Sequence, residues 1–373
     1  MIRVMNVISD TNIGGAGRVL LNYLRYADRS RFELLAALPR GSLLKDALEE
    51  AGAQVHEVDG IADRSWNRAD VGVLKVLFHQ VKPDLVHTHG CLSGRVAARG
   101  CHIPVVYSRH SAFPVPAKLR YPPGRWVNKL VNERYADRII AVSPAARDNL
   151  VQGGVSPKKI TVVMNGTAPV ARISEGERTA LREELSIPPG AVVFGILARL
   201  EDYKGHLYLV EAVRLLKERG REDFTVLAAG TGPFEKELSQ AVRDSGTGDR
   251  LKLLGFRSDA AALLNILDVQ LNCSYGTEAT SMALLEGMSL GLPSIASDYG
   301  GNPWVVGDGE TGLIFPSRNA AALADAMERL MDHPQEREAM GGRARERYES
   351  TFTGEAFAKN TENIYLDILK GAK

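Results

Sequence analysis

Short apolar, β-branched runs alternate with segments of helical periodicity along this chain, and the alternation occurs twice. In the first half the predicted strands lie at residues 3–8, 32–38, 54–58, 85–89, 105–108 and 138–142. The alternation begins again with predicted strands at residues 192–198, 224–229, 251–254, 269–271, 293–296 and 313–314. Strands and helices joined by connections this short form parallel sheets with helices on both faces.

The length agrees with two such sheets. At about 150 residues per domain, 373 residues make two domains, each with its own core. We predict an α/β fold of two Rossmann-like, doubly wound domains that face each other across a cleft, because ligands bind at the carboxyl ends of the strands in such sheets. The predicted hinge is the polar segment 165–187. The predicted helices include residues 17–26, 43–51, 71–81, 207–219 and 281–288.

Composition excludes several other classes of protein. Hydrophobic residues make up 45% of the chain and charged residues 24%, which is typical of a folded globular protein and not of a disordered one. The three cysteines form no Cys-x-x-Cys pair, so neither a disulfide framework nor a structural metal is expected. The sequence shows neither the apolar core of a signal peptide nor a run of roughly 18 apolar residues. We therefore expect a cytoplasmic protein that is not inserted in a bilayer.

The charge is unevenly distributed, although the formal net charge is only +1. Residues 1–170 contain 23 Lys and Arg against 14 Asp and Glu, a net charge of +9, and the remaining residues carry −8. Because a field of one sign attracts the opposite charge, we expect the first half to bind an anionic partner. Nucleic acid is not expected, since the chain has no compact basic helix and its pI of about 7.7 lies below the range of such domains.

A glycine-rich turn joins the first predicted strand to the next helix and consists of Gly14, Gly15, Ala16 and Gly17. Glycines let the backbone approach a phosphate closely, and a helix N-terminus offers unpaired N–H groups. Leu20 stands where the third glycine of a dinucleotide fingerprint would be, so the turn is not that motif. A purely structural turn is the alternative.

Two cations, Arg199 and Lys204, follow the first strand of the second half. At the carboxyl end of a parallel strand, an Arg fork and a Lys point charge can neutralise a diphosphate. Two solvated surface cations are the alternative interpretation, and the position at the strand end favours the phosphate role.

Two acidic residues, Glu278 and Glu286, lie eight residues apart around a helix predicted to begin near Thr280. Glu278 would lie in the loop before the helix and Glu286 on its inner face. Thr280 and Ser281 are typical helix caps whose neighbouring N–H groups can bind a phosphate. Glu286 is costly to bury unless it accepts hydrogen bonds, which ribose hydroxyls donate. The alternative is that Glu286 is simply exposed.

Histidines form a third group of candidates. His87 and His89 alternate along one strand, so they face the same side, and each is open to a structural interpretation. His110 follows a strand directly within Ser-Arg-His-Ser, which favours a functional role.

The segment 109–138 interleaves seven basic residues with apolar ones. One interpretation is a basic, partly apolar surface that rests on anionic lipid headgroups. The other is a core helix with a solvated outer face. The positive charge of the first half favours an anionic or lipid-linked acceptor, and the candidate contacts with that acceptor or with a membrane are Lys118, Arg120, Arg125, Trp126 and Lys129.

Taken in order, these motifs resemble the large family of retaining, nucleotide-sugar-dependent glycosyltransferases with the GT-B fold, commonly numbered family four. The resemblance extends over nearly the whole chain. It is carried by residues 14–17, 86–90 and 108–110, by Arg199 with Lys204 and Gly205, by residues 230–233, and by Glu278 with Glu286.

The resemblance implies a role for each motif. Arg199 and Lys204 would stabilise the departing diphosphate, Glu278 would contact the donor sugar, Glu286 would bind the ribose, and His110 would lie beside the transferred sugar. The backbone of Thr280, Ser281, Met282 and Ala283 would bind the diphosphate, with Gly14, Gly15, Ala16 and Gly17 closing over it. Gly230, Gly232, Pro233, Phe256 and Arg257 would flank the base. Arg18 and His89 are further candidate acceptor contacts.

The resemblance also implies which domain does what. Residues 1–168, with a last helix at about 355–373 that returns to them, would bind the acceptor, and residues 169–354 would bind the donor. Glycosyl transfer passes through an oxocarbenium-like state, so the main demand is to stabilise charge on the leaving diphosphate. Cationic side chains can meet that demand, and the sequence has no Asp-x-Asp. We therefore expect no metal and no cofactor besides the nucleotide-sugar substrate.

These expectations combine into one function. We predict transfer of a hexosyl or N-acetylhexosaminyl group from a UDP-sugar to a lipid-linked, envelope or exopolysaccharide saccharide at the inner face of the cell membrane, with retention implied only by the resemblance. A nucleotide-sugar epimerase or phosphorylase of the same fold is one alternative. A noncatalytic nucleotide-sugar-binding subunit is another.

Overall fold

The structure, a computed structural model, describes residues 1–371 and comprises two units. The first contains Met1–Thr167 together with the chain from Phe352 onward, and the second is Ala168–Thr351. The division expected from the sequence, after residue 168 and before about residue 355, differs from these boundaries by one and three residues. Residues 372 and 373 of the expected last helix lie outside the described residues.

The first unit is built on a sheet of seven parallel strands in the order β3-β2-β1-β4-β5-β6-β7. The last, short strand was not predicted, because three residues carry too little pattern to be recognised. The strands are β1 Ile2–Ile8, β2 Phe32–Pro39, β3 Gln54–Val58, β4 Leu85–His89, β5 Val105–Arg109, β6 Arg138–Ala141 and β7 Ile160–Val162.

Seven helices of the first unit lie between or after these strands, and one comes from the C-terminal end of the chain. They are α1 Gly15–Tyr26, α2 Lys45–Glu50, α3 Arg68–Val81, α4 Leu92–Gly100, α5 Ala117–Arg120, α6 Gly124–Arg134, α7 Pro144–Gln152 and α16 Gly354–Gly371. The C-terminal helix α16 packs on α1, where the rings of Tyr23 and Tyr365 lie edge to face with centroids 6.0 Å apart.

The second unit has six parallel strands in the order β10-β9-β8-β11-β12-β13. They are β8 Val192–Leu197, β9 Phe224–Ala229, β10 Leu251–Gly255, β11 Val269–Asn272, β12 Ser294–Ser297 and β13 Gly312–Phe315. Its helices are α8 Glu175–Glu184, α9 His206–Glu218, α10 Glu235–Asp244, α11 Ala260–Asn265, α12 Met282–Leu290, α13 Asn302–Val305, α14 Ala320–Asp332 and α15 Pro334–Arg347.

The segment predicted as a hinge is in large part a helix of the second unit. Ser174 caps α8 in a capping box with Glu177, so the backbone N–H groups of Ser174 and Glu177 both find acceptors. Leu181 faces inward and joins a hydrophobic cluster with Ile266 and Leu267. The polarity of the segment reflects a helix with one narrow buried stripe, which the sequence pattern did not distinguish from a linker.

Both sheets are buried on their two faces by helices, which is why their strands are almost continuously apolar. The polar groups of interest therefore gather where the strands end. Among the described residues, no helix has both the length and the apolar character needed to span a bilayer.

Candidate active site

The centre of the candidate site in the second unit is an ion pair between Lys204 and Glu278. Lys204 ends a 3₁₀ turn after β8, and Glu278 lies in the loop after the neighbouring strand β11. The Nζ–Oε2 distance is 2.7 Å, with side chains 19% and 7% exposed. A buried carboxylate needs several donors, and Glu278 also accepts from Asn272 Nδ2 at 3.3 Å and Ser274 Oγ at 3.1 Å.

Backbone packing holds the two partners together. Gly205 has φ of +75°, and a Cβ there would lie 2.0 Å from the carbonyl oxygen of Cys273, so no other residue allows this approach. The N–H of Tyr275 donates to the carbonyl of Tyr203 at 2.8 Å beside it. The turn after β8 therefore lies directly against the segment after β11.

The second predicted cation, Arg199, is placed differently from Lys204. Its side chain is 70% exposed and contacts Glu201 at 3.2 Å. An exposed pair of this kind contributes little to stability. The structure thus brings Lys204 and Glu278 together and leaves the Arg199 guanidinium at the surface, accessible to an anionic ligand.

The loop that contains Glu278 leads into α12, which begins at Met282, slightly later than predicted. Ser281 is the N-cap, and its Oγ accepts from the N–H of Leu284 at 3.4 Å. Thr280 through Ala283 therefore supply the cap and the first turn, where backbone N–H groups have no acceptor within the helix. Glu286 is partly buried on this helix, so the alternative of a simply exposed Glu286 is wrong.

Two glycines that sequence reasoning did not select, Gly300 and Gly301, support this loop. A Cβ on Gly301 would lie 1.8 Å from the carbonyl oxygen of Ala279, and the Gly301 N–H donates to the carbonyl of Glu278 at 2.8 Å. Asn272 and Ser274 were also missed as partners of Glu278. The sequence feature that could have identified them is their position, at the end of strand β11 and just after it.

The residues predicted to flank the base differ in burial: the glycine turn is packed against backbone, whereas Phe256 is exposed. Cβ atoms on Gly230 and Gly232 would lie 1.9 and 2.1 Å from carbonyl oxygens of Ala198 and Leu200, so this turn, which continues into Pro233, packs on the turn that carries Arg199. Phe256 is 76% exposed.

The guanidinium of Arg257 is paired with carboxylates of the protein itself. It forms a bidentate pair with Asp259, with both distances 2.7 Å, and a further pair with Glu184 at 2.9 Å. These carboxylates hold its guanidinium, which leaves Phe256 as the exposed side chain of the pair.

In the first unit, the glycine turn opens α1 at Gly15, two residues earlier than predicted, with Gly14 as the N-cap. A Cβ on Gly17 would lie 2.6 Å from Leu44 Cδ2, so a larger residue here would displace the buried side chain of Leu44. Gly15 has open space around its Cα. Ala16 lies in this first turn, and Arg18 after it is exposed.

Three histidines gather at the carboxyl ends of β4 and β5. His87 contacts the hydroxyls of Tyr365 and Ser108, each at 2.7 Å. His89 Nδ1 lies 2.9 Å from His110 Nε2. Burial lowers the pKa of His110 to about 4, with a smaller contribution from Arg109, and holds the pKa of His89 well below its usual value.

The expectation that His89 contacts an acceptor is wrong. Its imidazole is buried, and both ring nitrogens already have partners, Asn6 and His110. The sequence placed His87 and His89 correctly on one face, with ring centroids 4.4 Å apart.

The basic segment forms α5 and α6, and the interpretation of α6 as a core helix is wrong. Its one fully buried residue is Asn132. Trp126, Val127 and Leu130 are exposed by 65%, 58% and 64% and follow one another at i, i+1 and i+4 on one side of the helix. The predicted contacts Lys118 and Arg120 on α5 and Arg125 and Lys129 on α6 are all exposed.

Comparison with known proteins identifies the chain. Residues 13–169 match the family model "Glycosyltransferase Family 4", and residues 177–347 match "Glycosyl transferases group 1". Together the two models cover most of the chain. The chain belongs to family 4 of the glycosyltransferases. Such an enzyme takes its sugar from a nucleotide-sugar-type donor.

Individual relatives agree with this assignment. The glycosyltransferase is 28% identical over 313 residues to D-inositol 3-phosphate glycosyltransferase of Corynebacterium kroppenstedtii, covering 78% of this chain and 68% of that protein. It is 30% identical over 198 residues to alpha-D-kanosaminyltransferase of Streptomyces kanamyceticus, covering 52% and 50%.

A solved structure shows the same fold. HepE of Anabaena, crystallised with UDP and glucose, superimposes with a TM-score of 0.85 at 21% identity and covers 98% of this glycosyltransferase and 100% of that chain. The predicted GT-B fold of two Rossmann-like domains is thereby confirmed.

Proposed function

We propose that this glycosyltransferase transfers a sugar from a UDP-sugar, with the second unit binding the donor. The observation that carries the proposal is the buried pair of Lys204 and Glu278 at the carboxyl ends of two adjacent strands, beside the first turn of α12. HepE of Anabaena, which shares the fold, is known in complex with UDP, and this supports the choice of the base.

The proposed chemistry follows from where charge develops. As the glycosidic bond to the diphosphate breaks, negative charge grows on the leaving oxygens, and preorganised cations and N–H groups stabilise it. Lys204 is held in place by Glu278, and the exposed Arg199 would turn from Glu201 toward the ligand. The first-turn N–H groups of Met282 and Ala283 add the positive end of α12.

Other residues of the second unit would bind the rest of the donor. Glu286 accepts hydrogen bonds from the ribose hydroxyls, Phe256 packs against the base, and the turn at Gly230, Gly232 and Pro233 lies beside it. Glu278 contacts the donor sugar while it holds Lys204. Arg257 was also predicted to flank the base. Its guanidinium is held by Asp259 and Glu184, so Arg257 would lie beside the base without a contact from its guanidinium.

In the first unit, we propose that His110 contacts the transferred sugar and that the turn of Gly14 to Gly17 contacts the diphosphate. No metal takes part in this scheme, since cations of the protein carry the charge. The transfer retains the anomeric configuration of a hexosyl or N-acetylhexosaminyl group.

The acceptor in this proposal is a lipid-linked or envelope saccharide, reached from the cytoplasmic face of a membrane. The exposed apolar side of α6, formed by Trp126, Val127 and Leu130, supports it because the exposed cations Arg125 and Lys129 lie on the same helix. Apolar side chains enter the headgroup region while cations contact anionic lipid. Arg18 is a further candidate contact.

A ligand-binding measurement tests the donor assignment. The purified, metal-free protein is heated with UDP, GDP, ADP, NAD and their sugar conjugates. A ligand at 100 times its Kd adds about 2.7 kcal/mol to the free energy of unfolding, which shifts the melting temperature measurably. Stabilisation by UDP compounds is expected. Stabilisation by GDP or ADP compounds alone would contradict the choice of UDP, and stabilisation by NAD alone would contradict a sugar-nucleotide donor.

A further inference from the structure

A buried hydrogen-bonded chain leads from Asn6 on β1 through His89 on β4 to His110 after β5. We propose that Asn6, acting through His89, fixes the tautomer of His110 so that Nε2 carries the proton and Nδ1 presents a lone pair. Asn6 and His89 are then positioning residues for His110.

The orientation of the Asn6 amide is the starting point. Its Nδ2 lies 3.4 Å from the carbonyl oxygen of Leu35 on the neighbouring strand β2, and its Oδ1 lies 3.3 Å from His89 Nε2. Exchanging the two amide atoms would place oxygen against the Leu35 carbonyl, an arrangement of two acceptors without a proton. The backbone of β2 therefore directs Oδ1 toward His89.

The tautomers of both histidines follow from this orientation. An amide oxygen only accepts, so His89 Nε2 must carry a proton, and a neutral imidazole has only one. His89 Nδ1 is then an acceptor, and its partner at 2.9 Å, His110 Nε2, must donate to it. Burial lowers the pKa of both histidines below neutrality, so both are neutral at pH 7.

The proton order leaves one atom of His110 without a partner. His110 Nδ1 has no hydrogen bond in the structure and is inaccessible to solvent. In this tautomer it accepts and cannot donate, so only a donor such as a hydroxyl can pair with it, and a sugar hydroxyl does so only if the atoms that cover it move aside. This part of the inference rests on the proposed function, in which His110 contacts the donor sugar, whereas the tautomer itself does not.

The adjacent His87 has hydrogen bonds that do not fix its tautomer. Its two nitrogens face the hydroxyls of Tyr365 and Ser108, each at 2.7 Å. A hydroxyl both donates and accepts, so these contacts do not select a tautomer for His87. Tyr365→Phe therefore serves as a matched control, because it removes a buried hydrogen bond from a histidine at the same strand ends and leaves the Asn6 chain intact.

The test is a two-bond ¹H–¹⁵N correlation spectrum of the full chain with ¹⁵N-labelled histidine at pH 7, which distinguishes Nδ1–H from Nε2–H rings. His110→Gln and His89→Gln assign the signals. We expect only the Nε2–H form for His89 and His110 in the unmodified protein and in Tyr365→Phe. An Nδ1–H form of His110 in the unmodified protein would overturn the proposal and needs no variant to fold.

Two variants distinguish control of the His110 tautomer by hydrogen bonding from an effect of packing alone. Asn6→Leu removes the acceptor, so an Nδ1–H population of His110 is expected to appear. In His89→Gln the amide nitrogen donates to Asn6 while the amide oxygen accepts from His110, so the Nε2–H form is expected to persist. Unchanged tautomers in Asn6→Leu would show that Asn6 does not set them.

Turnover with a UDP-sugar separates this inference from the proposed function. We expect kcat to fall about fivefold in Asn6→Leu, the effect of one hydrogen bond, with the Kd for UDP unchanged and with kcat largely retained in His89→Gln. If the tautomers behave as expected but His110→Gln keeps full kcat, the role of His110 toward the sugar fails and the tautomer assignment stands. If the tautomers differ, the assignment fails whatever the activity.

Discussion

At the scale of single residues, Lys204 has two roles: it forms a buried ion pair within the fold, and in the proposed chemistry it stabilises the leaving diphosphate. Its ammonium is half of a buried pair with Glu278, which lies in the loop that leads into α12. Glu278 keeps three donors in the structure, Lys204, Asn272 and Ser274, so losing one leaves the carboxylate partly satisfied. The effect of removing Lys204 should therefore be larger on turnover than on folding.

We predict that Lys204→Ala lowers kcat by about 10² or more, because stabilisation of the leaving diphosphate is lost. Release of UDP from the donor measures it. Lys217→Ala is the matched control, since Lys217 forms an ion pair with Asp249 elsewhere in the same unit. Activity of Lys204→Ala within a few-fold of the unmodified enzyme would remove Lys204 from the mechanism.

His206, at the start of α9, is a second residue with a measurable consequence. It is buried, neither ring nitrogen has a hydrogen-bond partner, and burial, with a smaller effect of Lys204, lowers its pKa to about 4. Between pH 6.5 and about 4 the unfolded chain binds a proton here that the folded chain does not. The free energy of unfolding therefore falls as the pH decreases through this window, by about 1.4 kcal/mol per pH unit for this group.

We predict that His206→Leu reduces this loss of stability, because the protonatable group is gone and no hydrogen bond is broken. Urea unfolding of the variant and the unmodified protein at pH 7 and pH 5 measures the difference. The same substitution at the exposed His79 is the control for replacing a histidine by leucine. An equal fall in stability for His206→Leu and the unmodified protein would contradict the prediction.

At the scale of elements, α6 differs from the other long helices in leaving its apolar side chains uncovered. Soluble helices usually bury such a stripe against a sheet. Here Asn132 is the buried residue, and it accepts from the buried Arg95 at 3.0 Å, so α6 is attached through a polar contact. The apolar side of α6 is therefore exposed and can contact another surface.

We predict that the unmodified protein sediments with vesicles of anionic lipid at low salt and that a Glu substitution at each of Lys118, Arg120, Arg125 and Lys129 abolishes this. Opposite charges attract across a Debye length, so raising the salt to 0.5 M should weaken sedimentation as well. Replacing four exposed cations of the second unit, Arg219, Arg243, Arg329 and Arg345, is the control. No sedimentation of the unmodified protein would contradict the membrane contact.

At the scale of the whole molecule, the two units differ in how the chain builds them. The second is one continuous stretch, Ala168–Thr351, with its own core, whereas the first needs α16 from the C-terminal end, whose Tyr365 is fully buried there. The proposed donor-binding residues other than His110 and the glycine turn all lie in the second unit.

We predict that residues 168–351 expressed alone fold and bind UDP, because every contact proposed for the nucleotide is present except that of the Gly14–Gly17 turn with the diphosphate. Isothermal calorimetry of this fragment measures the binding, with its Lys204→Ala variant for comparison. Binding of UDP by the full chain but not by the folded fragment would show that the first unit supplies part of the nucleotide site.

We also predict that turnover is unchanged by EDTA, since side chains and N–H groups carry the charge that a metal would otherwise carry. Initial rates with and without chelator, after prior removal of metal, measure this. A loss of tenfold or more that Mg²⁺ restores would contradict metal independence.

The amino-acid sequence was sufficient to predict the two parallel sheets, since buried parallel strands require apolar runs that are visible without any partner. It also determined which residues follow the strand ends, including Arg199, Lys204, Glu278 and His110. It could not show that β7 exists or that residues 175–184 are helical, because short strands and mostly polar helices carry weak patterns.

The pairing of these residues depends on how the chain folds in three dimensions. Lys204 and Glu278 are 74 positions apart, and they meet because β8 and β11 are neighbours in the sheet. The chain of Asn6, His89 and His110 exists because β1, β4 and β5 lie side by side. Strand order is set by packing of the whole sheet, which no local pattern encodes, so composition and spacing located the candidates and the fold assigned their partners.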